Sequence, residues 1–315
     1  MPSHLLHGLN PYLLHFSESL SLRWTGAASL VGFLLAFVWL RRRTARGDGP
    51  LAPQEVAGFV VYASLFGVML GGRLGYVLLH QWDDFSRDGS IFFQFRQGGA
   101  SMPGALLGVL AFTAYSAHQH RRSWLHLMDT LAVLAPLGFL LWHLAAFTAG
   151  EPLGHVSTAP WALRFPAELN IDGFQPADVP ALDLSPLAQA PGHELARLAN
   201  ESPALLEELH RVLPPRHPVL LYQAALEGLV LAGLLFALRK RWPELPRGMM
   251  SGCFFLLYGV LACASLPFRE PALNLPVSYQ FETGVPMAAL MMMVGAAFMT
   301  AALTQRRAVP SLPFP

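Results

Sequence analysis

Phe59 to Leu79 reads FVVYASLFGVMLGGRLGYVLL. One charge, Arg73, interrupts a run long enough to cross a bilayer, for which about 20 predominantly apolar residues in a helix suffice. A permanent cation at the centre of a spanning helix costs at least ~2.5–3.5 kcal/mol, so it calls for an anionic partner or a polar cavity. The bland alternative is snorkelling, since Arg73 sits about two turns from the outer end of its helix. The commonest anionic group in a membrane is a lipid phosphate, which makes Arg73 a candidate headgroup ligand. Its word, Gly71-Gly72-Arg73-Leu74-Gly75-Tyr76, is followed by a second glycine-rich one, Gly98-Gly99-Ala100-Ser101-Met102-Pro103-Gly104.

The rest of the chain has the same character. Of its 315 residues 53% are hydrophobic and only 13% charged, and the mean hydropathy is +0.41. That is too apolar for an ordinary soluble domain. Cys253 and Cys263 are the only cysteines and share one apolar run, so neither a metal-ligand spacing nor a disulfide framework is present. No metal, no cofactor and no nucleic-acid partner is expected. The start, Met1-Pro2-Ser3-His4, has no basic region ahead of an apolar core and cleavage site, so the first span is read as permanent.

Apolar stretches of spanning length fall at Ala27–Leu40 (extended back towards Leu20), Val56–Leu79, Met102–Ala117, Leu125–Ala149, Pro218–Leu238, Met249–Leu266 and Val285–Leu303. Only helices or closed barrels satisfy their backbones in lipid, and runs of this length read as helices. The expected fold is therefore all-α: a polytopic membrane protein of about seven transmembrane helices. Arg41, Arg42, Arg43 and Arg46, then Arg121 and Arg122, then Arg239, Lys240, Arg241 and Arg247, and finally Arg306 and Arg307 follow alternate spans; the short loops on the other side carry only Arg87, Arg96 and Arg269. The positive-inside rule then places the N-terminus outside and the C-terminus in the cytoplasm. Three parts are expected: residues 1–149 with the first four helices, 150–216 as an external cap, and 217–315 with the last three helices and a short tail. Within the cap, Ala159–Gly192 reads as irregular. Glu194–Val212 has apolar residues at helical spacing, with Ser202-Pro203 as a second helix start.

Further words occur in order along the chain: Leu22-Arg23-Trp24-x-Gly26, Asp129, Gly150-Glu151-x-x-Gly154, Pro160-Trp161, Phe165-Pro166, Pro215-Arg216-His217-Pro218, Leu221-Tyr222, Leu226-Glu227-Gly228, and Tyr258-Gly259 with Phe268-Arg269-Glu270-Pro271. Together with the two glycine words, they resemble the prolipoprotein diacylglyceryl transferase family. The resemblance implies an enzyme of the bacterial inner (plasma) membrane that moves a diacylglyceryl group from phosphatidylglycerol to the thiol of a lipobox cysteine in a prolipoprotein signal segment. Its partners would be phosphatidylglycerol, that signal segment and membrane lipid. Such chemistry requires a group that takes or offsets the thiol proton. It also requires fixed cations for phosphate, a task suited to arginine's planar fork.

The chain departs from the family pattern at several positions. Pro103 stands where the family has a histidine, Thr25 where it has a tyrosine, and Ala262 and Leu266 where it has an arginine and a glutamate. His143, Ala146 and Ala149 replace an arginine and two asparagines. Proline early in a helix shapes its start but handles no proton. The resemblance then implies His143 and Glu151 as catalytic candidates, and Arg73, Tyr76, Ser101 and Arg269 as ligands of the phosphatidylglycerol headgroup. Gly98, Gly99, Gly104, Gly154, His217, Tyr222 and Glu227 are the supporting set. Glu227 lies inside a span, where a lone carboxylate needs a partner, and Arg73 is the one expected; Arg269-Glu270 is expected as an ion pair. Two functions stay open: a transferase with a rebuilt site, and a non-catalytic relative that binds phosphatidylglycerol or lipoprotein signal segments.

Overall fold

The computed structural model describes residues 4–17, 20–47, 49–95, 99–170, 190–270 and 284–308. Each of the expected apolar stretches is helical. Among the described residues five helices are long and apolar enough to cross a membrane: Trp24–Ala45, Glu55–His80, Val219–Arg241, Met249–Phe268 and Val285–Gln305. A sixth candidate is the pair Trp124–Ala132 and Ala135–Phe147, bent by 42°. Pro136 accounts for the bend, because it lacks the N–H that would continue the hydrogen-bond ladder. Met102–Gln119 is a helix of 18 residues outside that set. Thr113, Tyr115, Ser116, His118 and Gln119 make its second half more polar than the other spans. Leu30, Leu34, Val61, Phe236 and Met293 stand more than half exposed on helix surfaces, as lipid-facing side chains must. The chain is an all-α, multi-pass membrane protein.

The first helix begins later than expected. Leu20–Arg23 is a strand, paired antiparallel with Tyr12–Ser17 through Tyr12↔Arg23 and Leu14↔Leu22. Leu20-Ser21-Leu22-Arg23 alternates with period two, a strand signal, and the helix opens only at Trp24.

The chain divides into two compact units. The first comprises Met1–Leu30, Gly138–Leu229 and Ala264–Pro271. It contains the two helices expected around Ser202-Pro203: Gly192–Glu201 and Pro203–Val212. The Ser202 side chain accepts a hydrogen bond from the Leu205 N–H at 3.4 Å, the N-cap arrangement that satisfies a free helix-end donor. Leu195, Leu205, Leu209 and Leu213 close an apolar cluster beneath the pair.

The second unit comprises Val31–Leu137, Val230–Cys263 and Ala272–Pro315. Here the two glycine words explain each other. A Cβ on Gly71 would lie 2.8 Å from the Gly104 carbonyl, and one on Gly104 would lie 2.6 Å from the Gly75 Cα. Gly71, Gly75, Gly104 and Gly108 thus let two helices touch backbone to backbone, the small-xxx-small crossing of membrane helices. Elsewhere in this unit Asp129 accepts from the Gly248 N–H at 2.6 Å, the Ser251 N–H at 2.8 Å and the Ser251 hydroxyl at 2.7 Å. One carboxylate thereby satisfies donors at the start of the Met249–Ser265 helix.

Candidate active site

In the first unit, the Ala135–Phe147 helix carries His143 and a π-helical segment, Ala224–Val230, carries Glu227. π-helical turns within α-helices are frequent at functional sites. His143 Nε2 lies 3.0 Å from Glu227 Oε2, with the side chains 12% and 2% exposed. Gly228 makes the approach possible: a Cβ there would meet the Leu140 Cβ at 2.7 Å. This corrects the expected partner of Glu227, which is His143 and not Arg73. Sequence pattern alone could not find the pair, since the residues are 84 positions apart. The other ring nitrogen, His143 Nδ1, is buried with no partner among the described residues. A buried polar atom left unsatisfied costs about 1–3 kcal/mol, and such an atom calls for an explanation.

Glu151 lies in the loop after that helix and lines a pocket of ≈ 260 Å³ with His7, Tyr12, Arg23, Thr148 and His193. Its residue surface is open on one side, yet the walls around the carboxyl push its pKa above the ordinary range, and the charge of Arg23 pulls it partly back. Arg23 lies 5.5 Å from the Tyr12 ring centroid. His7 packs between Phe147 and Phe165 at ring-centroid distances of 4.9 and 5.0 Å. Burial holds His7 below the usual histidine range, against a hydrogen bond to the Phe147 carbonyl.

Arg216, which the sequence offers only as part of the Pro215-Arg216-His217-Pro218 block, is the buried hub of a polar network. Its Nε donates to Glu168 Oε2 at 2.9 Å and its Nη2 to Glu168 Oε1. Its Nη1 donates to the Gly154 carbonyl and to Glu270 Oε2, both at 2.9 Å. Burial opposes the Arg216 charge, but the two carboxylates outweigh it and raise the pKa. The ion pair expected within Arg269-Glu270 is corrected accordingly: Glu270 pairs with Arg216 and, at 3.4 Å, with His155. Arg269 instead sits in a backbone bridge with Gly154. Gly154 is needed there because a Cβ would run into the His217 carbonyl and lie 2.9 Å from that of Phe268.

His217 and Tyr222 form a second polar group. Trp161 Nε1 donates to the Tyr222 hydroxyl at 2.6 Å, and that hydroxyl lies 3.0 Å from His217 Nδ1. Indole is a donor only, so the tyrosine proton is free to go to His217 Nδ1. Burial, then the neighbouring His155, lowers the His217 pKa.

In the second unit the Gly-Gly-Arg word is an assembled structure. Arg73 is only 2% exposed. Its Nε donates to the Phe92 carbonyl at 3.2 Å and its Nη2 to the Ile91 carbonyl, while the guanidinium lies 5.6 Å from the Tyr76 ring centroid. Backbone carbonyls and a ring face thus supply partners for the intramembrane cation. Gly99 has φ +89°, and a Cβ there would run into the Tyr76 ring. Ser101 is fully buried. Its N–H donates to the Gly72 carbonyl at 2.9 Å and its hydroxyl accepts from the Gly104 N–H at 3.2 Å, which makes it the N-cap of the Met102–Gln119 helix. Pro103 stands in the first turn of that helix, the position proline tolerates best. Gly98 lies outside the described residues.

Long apolar helices with lipid-facing side chains define a multi-pass membrane protein. The profile of the family described as prolipoprotein diacylglyceryl transferase matches residues 11–301. A phosphatidylglycerol–prolipoprotein diacylglyceryl transferase of Sodalis glossinidius is 36% identical over 252 residues, which is 80% of this chain and 78% of the relative. One of the same name from Mannheimia succiniciproducens is 31% identical over 293 residues, 92% of each chain. A third, from Shewanella sp. strain ANA-3, is 32% identical over 263 residues, 84% of this chain and 81% of the relative. The chain belongs to the prolipoprotein diacylglyceryl transferase family.

Proposed function

We propose that this protein transfers a diacylglyceryl group from phosphatidylglycerol to a lipobox cysteine thiol in the bacterial inner membrane, through a site rebuilt around His143. The observation that carries this reading is the His143–Glu227 pair with its unpartnered Nδ1. With Nε2–H donating to the Glu227 carboxylate, the neutral ring keeps its lone pair on Nδ1, and a carboxylate that orients a histidine in this way prepares it as a base. Nδ1 takes the thiol proton, the thiolate sulfur bonds to the glyceryl carbon, and the C–O bond to the departing glycerol phosphate breaks. Glu151 and Arg269 belong to the same unit as His143, Arg269 as the phosphate cation and Glu151 beside the pocket. Tyr76 and Ser101 contribute by holding the Gly-Gly-Arg word in shape, and Arg73 as a headgroup ligand would act from within that word. Residues 150–216 serve as the outer cap.

The test is transfer to a synthetic lipobox peptide in phosphatidylglycerol vesicles. His143→Ala should lower the rate by about 10²–10⁴, the typical contribution of a general base. Undiminished transfer by that variant would overturn the assigned role. Pro103 and Ala262, without proton or charge where the family has a histidine and an arginine, favour a second reading, a non-catalytic binder. It predicts phosphatidylglycerol binding with no transfer by the native chain.

A further inference from the structure

The helix that carries Glu227 buries a second polar side chain, Gln223, which is 8% exposed. Gln223 closes the α-helical turn Val219–Gln223, and the π-helical segment Ala224–Val230 follows directly. It stands four positions before Glu227, and side chains at that spacing neighbour each other, with Cβ atoms about 5–6 Å apart. Both are buried, whereas Leu229 on the same segment is 60% exposed. The face shared by Gln223 and Glu227 is therefore packed within the first unit and turned away from lipid. The span runs from Pro218 to its basic end at Arg239, Lys240 and Arg241. By the positive-inside rule Gln223 then lies about 6 Å nearer the outer end than Glu227.

A carboxamide offers two N–H donors and a carbonyl acceptor. Thr113 and Thr130, also buried in spans, donate to the Val109 and His126 carbonyls one turn back. The Gln223 carboxamide has no such partner among the described residues. Lipid chains supply none, and a buried amide without one is costly. His143 Nδ1, on the ring that meets Glu227, also lacks a partner. Two unsatisfied polar groups thus neighbour one carboxylate, one from each of two packed helices. An anion placed beside Glu227 is repelled. A hydroxyl is neutral and both donates and accepts, so it matches the carboxamide without that penalty.

We infer that Gln223 binds the free hydroxyls of the phosphatidylglycerol headgroup and so sets headgroup preference. A hydroxyl donates to Gln223 Oε1 and accepts from its Nε2–H. In the outer leaflet the headgroup points outward from the glyceryl carbon that His143 serves, and Gln223 stands one turn outward of that histidine's partner. The inference rests on the proposed function for bringing this lipid to His143, but its test reads binding and not transfer.

Full-length protein in a mild detergent is titrated with dioctanoyl phosphatidylglycerol and with dioctanoyl phosphatidylpropanol, which keeps the charge and chain lengths but lacks the headgroup hydroxyls. Affinity is read by native mass spectrometry. The native protein should bind phosphatidylglycerol more tightly by about tenfold, the scale of one or two hydrogen bonds between uncharged groups. Gln223→Met, close in shape but without the amide, should lose that preference by weakening phosphatidylglycerol alone. The native comparison needs no variant, so equal affinities for the two lipids would overturn the inference even if Gln223→Met does not fold. A preference that persists in the variant, or equal weakening of both lipids, would overturn it as well. Discrimination without transfer by the native chain supports this role and sinks the transfer reading; transfer without discrimination does the reverse.

Discussion

His143 and Glu227 illustrate how strongly a buried residue depends on its partner. Removing one partner of a buried hydrogen bond leaves the other unsatisfied, at a cost of about 1–3 kcal/mol and more where that group is charged, whereas replacing both by apolar groups of the same shape is often neutral. His143→Leu and Glu227→Leu should therefore each destabilise the protein strongly, and the double variant should recover much of the loss. Chemical unfolding of all three in detergent checks this; additive losses would contradict the pairing at 3.0 Å. His7 belongs to the same scale. Burial lowers its folded pKa, so between that value and about 6.5 the unfolded chain binds more protons and stability rises with pH. Acidification from pH 7.5 to 5 should accordingly lower the melting temperature. His7→Gln, which cannot titrate, should flatten that slope, and an equally steep slope in the variant would exclude His7 as a source.

At the scale of elements, the glycine words act through backbone contact. Gly75 and Gly104 each lie where a Cβ would come within 3.0 Å of the facing helix. Gly104→Leu or Gly75→Leu must push the helices apart and should destabilise by more than the 1–3 kcal/mol typical of overpacking. Gly138→Leu, where no atom lies within 4 Å of an added Cβ, should be tolerated. Melting curves of the three variants separate the close crossing from a generic effect of bulk. Ser101 and Pro103 belong to the same joint, one capping the helix and the other occupying its first turn. The Pro103 substitution therefore preserves an element while removing a proton carrier.

For the whole molecule, the basic residues lie at alternate helix ends, and the positive-inside rule predicts an external N-terminus. In a Cys253→Ser, Cys263→Ser background, a cysteine placed at Asn10 should react with a membrane-impermeant maleimide in intact cells, and one placed at Lys240 should not. The reverse pattern would invert the topology. Lipid demands long apolar runs whatever the tertiary arrangement, which makes the spanning helices legible; the break at Ser202-Pro203 is legible instead from apolar residues at helical spacing and a helix-start pair. The first helix starts later than its apolar run implies because four alternating residues, Leu20 to Arg23, pair with an upstream strand that only the folded backbone reveals.

The partners of the polar residues were less legible. The motif words marked Arg73, Glu227, His217, Tyr222 and Gly154 as positions of consequence, but residue type alone leaves any cation free to meet any anion. Tertiary structure decided that Glu227 meets His143, that Glu270 meets Arg216, and that Arg73 is held by the Ile91 and Phe92 carbonyls. The sequence by itself determined the membrane helices and the family membership, since both are written in local pattern and ordered motifs. Which charges pair depends on distances of a few ångströms between residues far apart in the chain, and those exist only once the helices have packed.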